Sequence, residues 1–197
     1  QEHHSNIVPW QMLAERKGAE IRVLPFDEAG ALRTDLLPSL VDERTRVVAV
    51  TQASNTLGTR PDLRTVVEAA HAAGAVVVVD GCQGVVHGGV DVRAMDCDFY
   101  AFSGHKLYGP TGIGVLYGKR ELLERMPPFM GGGDMVDTVT FAKTTYAPVP
   151  LKFEAGTANF VGAIGLGEAV KFMQRFDPAE IEAHEEALLR RATERLK

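Results

Sequence analysis

Cysteine is scarce here. Two thiols, Cys82 and Cys97, are spread over 197 residues without a C-x-x-C pair. That excludes a disulfide scaffold and a cysteine zinc site, and it suits a reducing compartment such as the cytoplasm. Long apolar runs are missing as well. The longest, "AVVVV" at 75–79, falls far short of the roughly 20 residues that a membrane-spanning helix needs. Positive charge is not in excess: the formal net charge is -5, which gives no basic face for nucleic acid or an anionic membrane. What is present is ordinary globular material, 45% hydrophobic and 24% charged, enough for one domain or one domain and part of another.

The pattern along the chain is strand, loop, helix, repeated. Residues 20–25 ("EIRVLP"), 46–51 ("RVVAVT"), 75–80 ("AVVVVD"), 98–103 ("DFYAFS") and 114–117 read as strands. The near-continuous apolar runs among them are those of buried parallel strands. Residues 62–73 read as a helix ended by Gly74. Strands alternating with helices imply an α/β fold, a mainly parallel sheet with helices on its faces. "PPFMGGG" at 127–133 breaks the pattern, and a long excursion follows to about Thr157. Asp177-Pro178 opens a last helix. Its apolar positions Ile181, Leu188, Leu189 and Leu196 run towards Lys197 without a stop signal, and the chain begins at Gln1. The expectation is a segment of a longer protein. Its exposed apolar faces would make the isolated chain aggregate.

In open parallel sheets ligands bind beyond the carboxyl ends of the strands. Three strands deliver polar residues there: Asp80, then Ser103 with Gly104, His105 and Lys106, and a third group of Gln52, Ser54 and Asn55. Asp80 is either a cap or a carboxylate paired with a protonated ring nitrogen, with Gln83 on the same loop. His3 and His4, adjacent on extended chain, point apart and make a poor metal pair; one of them can stack on a flat ring. Ser103 and His105 would share a side if the chain stays extended, which suits one phosphate. "GPTGIG" at 109–114 lacks the spacing of a Walker A loop or a dinucleotide fingerprint. No metal site is expected. Carboxylate, flat ring, phosphate anchors and an amine together suggest pyridoxal 5'-phosphate, with Lys106 as its Schiff-base amine. His105, Leu107 and Tyr108 would give that amine a partly buried, cation-flanked setting.

"EHHSNIVPWQML", "SNTLGT", "VVDGCQGVVHGGVDV", "DCDFYAFSGHKLYGPTGIGVLY", "GGGDMV" and "FEAGTANF" together resemble the SUF-type cysteine desulfurases. These are class V aminotransferase relatives with the PLP-dependent transferase fold type I, a three-layer α/β/α large domain. The resemblance implies a cofactor-domain core at 1–167 and a helical segment at 168–197 leading towards a small domain. It implies that Lys106 holds the cofactor aldehyde, Asp80 the ring nitrogen and Gln83 the ring hydroxyl. His3 stacks on the ring and moves protons. Ser103 and His105 bind the phosphate, Thr157 reaches the partner subunit's phosphate in a homodimer, and Asn55 lies on the substrate side. The implied reaction takes sulfur from L-cysteine, leaving L-alanine and an enzyme persulfide for an acceptor protein of iron–sulfur assembly. The family's nucleophilic cysteine and its carboxylate-binding arginine fall beyond this chain. Cys82, where relatives commonly carry a small residue, reads as a packed thiol, and Ala158 stands where many relatives have proline. A selenocysteine lyase, another class V enzyme, or a noncatalytic cofactor-binding fragment are the competing readings. A dinucleotide oxidoreductase lacks its G-x-G-x-x-G.

Overall fold

The computed structural model describes residues 1–196; Lys197, to which the last helical pattern was expected to run, lies outside the described residues. Four strands form the main sheet, β1 (Val47–Thr51), β2 (Val76–Asp80), β3 (Phe99–Ser103) and β4 (Gly114–Gly118), in that spatial order. β1, β2 and β3 are parallel, with Thr51 opposite Asp80 and Asp80 opposite Ala101. β4 returns antiparallel along the edge, with Ser103 opposite Gly114. The helices are α1 (Val8–Lys17), α2 (Leu37–Leu40), α3 (Leu63–Ala72), α4 (Val92–Met95), α5 (Arg120–Arg125), α6 (Phe160–Met173) and α7 (Pro178–Leu196). The excursion after residue 127 is not structureless: it contains an antiparallel pair, β5 (Val136–Val139) with β6 (Thr144–Tyr146).

Local chemistry explains the crossover helix. The Asp62 side chain accepts from Thr65 N–H at the start of α3, and Gly74 beyond its end takes a positive φ of 74°, the pattern that N-cap acids and C-terminal glycines favour. Val66, Val67 and Ala70, at helical spacing, are buried against Val50, Val77, Val79 and Tyr100 of the sheet. The alternate residues of the strands, Val76, Val78, Phe99 and Ala101, are only half-buried. The period of two therefore assigns a closed face and a more open face to the same sheet. A second cluster joins Val86 and Leu107 to Leu166 of α6.

One expectation needs correcting. Residues 20–25 are not a strand: no ladder pairs them, and the neighbouring bridge is the isolated contact Phe26 with Leu32. Arg22 binds Asp42 and the Leu40 carbonyl instead, and a segment without a strand neighbour has nothing to ladder with. Position 167 lies within the continuous helix α6, and α7 follows it in the 168–197 segment. Among the described residues no helix is long and apolar enough to cross a membrane.

Candidate active site

Strand register puts the site together. Asp80 pairs with Ala101, and Ser103 lies two residues further on, so Asp80 and Ser103 share the open face at the carboxyl edge. Between them sits Cys82, whose sulfur is 3.9 Å from Ser103 Oγ and whose N–H donates to Asp80 Oδ1 at 3.0 Å. Gln83 follows, half-buried. The chain then turns from β3 directly into a 3-10 turn over Gly104–Leu107. Lys106 is half-buried on that turn, with no carboxylate paired to it among the described residues. Its charge is near enough to favour the Cys82 thiolate.

The turn is held by close backbone approach. Gly104 N–H donates to the Ile113 carbonyl at 2.8 Å, and Gly109 N–H donates to the Gly104 carbonyl at 3.0 Å. A Cβ on Gly109 would lie 2.9 Å from that carbonyl oxygen, which is why a glycine is needed there. Leu107 anchors the turn by packing with Val86 and Leu166.

This geometry changes two details of the expected setting. Ser103 and His105 do not share a side through strand alternation, because the strand ends at Ser103 and His105 emerges exposed on the turn. Tyr108 does not shelter Lys106: it is 68% exposed, at a left-handed φ of 58°. Of the three neighbours named, only Leu107 supplies packing.

The segment that carries His3 is tied to the end of β1 through Glu2. The Glu2 carboxylate accepts from Thr51 N–H at 2.9 Å and from Asn6 Nδ2 at 2.6 Å, fixing the start of the chain to the end of β1. Burial pushes the Glu2 carboxyl up, against those two donors, which pull it down. His3 itself is exposed, and its Nδ1 accepts from Ser5 N–H at 3.2 Å. Asn55 is exposed on the loop after β1, where Ser54 Oγ accepts from Thr56 and Leu57 N–H. Thr157 is exposed at the end of the excursion, and no hydrogen bond ties it to the carboxyl edge among the described residues. Sequence reasoning missed Glu2 and Tyr100. The signals were there: an acid preceding the histidine pair, and a tyrosine in an apolar strand, whose hydroxyl needs a partner once buried.

Neither thiol is poised as a nucleophile. Burial pushes Cys82 up, with the hydrogen bond and charge of Asp80 adding to it, and burial pushes Cys97 up to about 11. The thiolate is the reactive form, so both stay largely protonated near neutral pH.

The comparisons with known proteins decide the family. The aminotransferase class-V pattern matches residues 1–197. The chain belongs to the class-V aminotransferase family. A cysteine desulfurase of Dickeya dadantii is 57% identical over 192 residues, which is 97% of this chain and 47% of that protein. The solved cysteine desulfurase CsdA (S-sulfonic acid) of Escherichia coli superposes with a TM-score of 0.88 at 52% identity, covering 90% of this chain and 44% of that one. The apo cysteine desulfurase of Thermococcus onnurineus gives 0.94 at 36% identity, covering 98% and 48%. The class-V chain thus spans about half the length of the curated relatives it matches.

The donor set fits the cofactor expected of this family. Asp80 Oδ1 accepts from the Cys82 N–H, and among the described residues Oδ2 has no hydrogen-bond donor, the arrangement a protonated ring nitrogen would require. Lys106, with no carboxylate paired to it among the described residues, follows on the 3-10 turn after Ser103.

Proposed function

We propose that this chain is the cofactor-holding core of a PLP-dependent cysteine desulfurase. The observation that carries the reading is Lys106, on the turn after β3 at the carboxyl edge where Asp80 ends β2, with no carboxylate paired to it among the described residues. The whole protein would act on L-cysteine, release L-alanine and keep the sulfur as a persulfide on a thiol outside these residues; the raised thiols of Cys82 and Cys97 support that last point. When bound, the cofactor supplies an electron sink for the bonds around the substrate Cα.

The chain's residues do the rest. Lys106 Nζ holds the cofactor aldehyde. The Asp80 carboxylate keeps the ring nitrogen protonated, since a nearby negative charge favours the charged form. Gln83 bonds the ring hydroxyl oxygen. His3 covers the ring and carries protons, Ser103 and His105 hold the phosphate, and Asn55 faces the substrate. Thr157, far along the excursion, serves the phosphate of the second subunit in a homodimer. We further propose a core at 1–167 with 168–197 leading to a small domain, a cytoplasmic setting, and an iron–sulfur assembly protein as sulfur acceptor.

The test uses the full-length protein. Purified with PLP it should be yellow, and Lys106→Ala should abolish the Schiff-base absorbance completely; colour that survives in the variant defeats the lysine assignment. Alanine should form from L-cysteine, with sulfide released when a thiol reductant such as dithiothreitol is supplied to reduce the persulfide. Yellow protein that forms neither would point to a sibling reaction, with selenocysteine as the first substrate to try.

A further inference from the structure

Beneath the 80–84 loop lies a polar pair to which the proposed chemistry gives no part. Tyr100, in β3, is 2% exposed and stands opposite Val79. Its hydroxyl donates to Gln52 Oε1 at 2.5 Å, with the Gly81 carbonyl at 3.3 Å as a weaker second acceptor. Burial pushes the phenol's pKa up, with Cys97, Cys82 and Asp80 adding to it, so the hydroxyl stays a donor. Gln52 follows β1 directly, and its backbone N–H donates to the Asp80 carbonyl at 2.9 Å. One residue therefore grips Asp80 through its backbone and Tyr100 through its side chain.

The loop is pressed against this pair on both sides of Cys82 and Gln83. A Cβ on Gly81 would lie 1.9 Å from Tyr100 Cζ, and a Cβ on Gly84 would lie 2.0 Å from Gln52 Oε1. The loop closes over them with Gly81 N–H on the Ala101 carbonyl and Val85 N–H on the Gly81 carbonyl, each at 2.9 Å. Such spacing leaves the loop one height and one direction above the strand ends.

We propose that Tyr100 and Gln52 are positioning residues for the cofactor: their hydrogen bond sets the 80–84 loop so that Asp80 and Gln83 meet the pyridoxal ring. This rests on the cofactor reading above. The probe is pyridoxal phosphate added to the full-length apoprotein, followed by absorbance titration, the pH profile of the bound absorbance, and melting of the apoprotein. Tyr100→Phe keeps the ring and removes the hydroxyl. Its apoprotein should melt within a few degrees of wild type. Pyridoxal phosphate should bind about three- to tenfold more weakly, the worth of one net hydrogen bond, and the pH midpoint of the absorbance should move. Gln52→Met keeps the bulk and loses the acceptor, and should act in the same direction. The double variant should be no weaker than the weaker single, because both remove one bond. Variants that bind within about twofold of wild type, with an unchanged pH profile, overturn the inference. If Tyr100→Phe does not fold, Gln52→Met decides by the same criterion. Wild type that binds no pyridoxal phosphate overturns this inference and the cofactor reading together; wild type that binds beside unaffected variants overturns this inference alone.

Discussion

The two edges of the central sheet use the same residue types and leave them in opposite states. At the amino edge Asp98 is 6% exposed and fully engaged. Its Oδ2 accepts from Val77 N–H at 2.7 Å and lies 2.9 Å from His71 Nε2, while Oδ1 meets Lys119 Nζ at 3.0 Å. Lys119 also donates to Asp96 Oδ1 at 2.7 Å. Burial pushes the Asp98 carboxyl up, but the Val77, His71 and Lys119 contacts outweigh it and hold it below the usual carboxylate range. At the carboxyl edge an aspartate, a histidine and a lysine recur as Asp80, His105 and Lys106, yet no ion pair joins them. One edge has spent its bonding capacity on the fold. The other leaves its aspartate, histidine and lysine without ion pairs to one another, which is the contrast that supports the proposed site there.

The contrast can be broken by exchanging the damage. The largest effect on stability should come from Asp98→Ala in the full-length protein. It orphans the Val77 N–H and the His71 ring and should cost about 2–4 kcal/mol, read by denaturant melting, with the cofactor absorbance retained in the folded fraction. Asp80→Ala should do the reverse. Its melting should change by less than about 1 kcal/mol, while pyridoxal phosphate affinity falls roughly 10- to 100-fold, the worth of one hydrogen bond to a charged group. A large stability loss at Asp80, or loss of cofactor at Asp98, would erase the distinction between the edges. A third carboxylate calibrates what pairing is worth when water competes. Asp42, hydrogen-bonded to Arg22, has its pKa lowered to about 2. A depressed folded-state pKa favours the ionised native form, so this contribution is complete above the ordinary value of 3.8 and fades as pH falls towards about 2. Asp42→Asn should flatten that acid arm of the stability profile slightly and leave neutral pH almost unchanged.

Much of this was readable before any coordinates. The apolar runs ending in Asp80 and Ser103, the Asp62 cap and Gly74 stop of α3, and the mainly parallel sheet all follow from local pattern, because periodicity and capping act over a few residues. The segment at 20–25 had the same apolar alternation and forms no strand, since a ladder needs a neighbour that composition does not reveal. The side-sharing expected of Ser103 and His105 failed for a related reason. Alternation holds only while the chain stays extended, and here it winds into a 3-10 turn at Gly104.

The sequence by itself determined which chemistries the chain can offer: an amine, carboxylate, imidazole and hydroxyl set at strand ends, and two thiols without a C-x-x-C pair. Only the tertiary structure decided which of those groups are committed. Asp98 directly precedes β3 and Asp80 closes β2, two apolar strands that look alike in sequence, but register and burial close the first inside a network and leave the second open on the half-covered face. The same packing recruited Glu2, Gln52 and Tyr100 to hold the edge. Their partners lie 19 to 49 residues away in the chain, so the sequence can flag the polar residue but not the partner it finds.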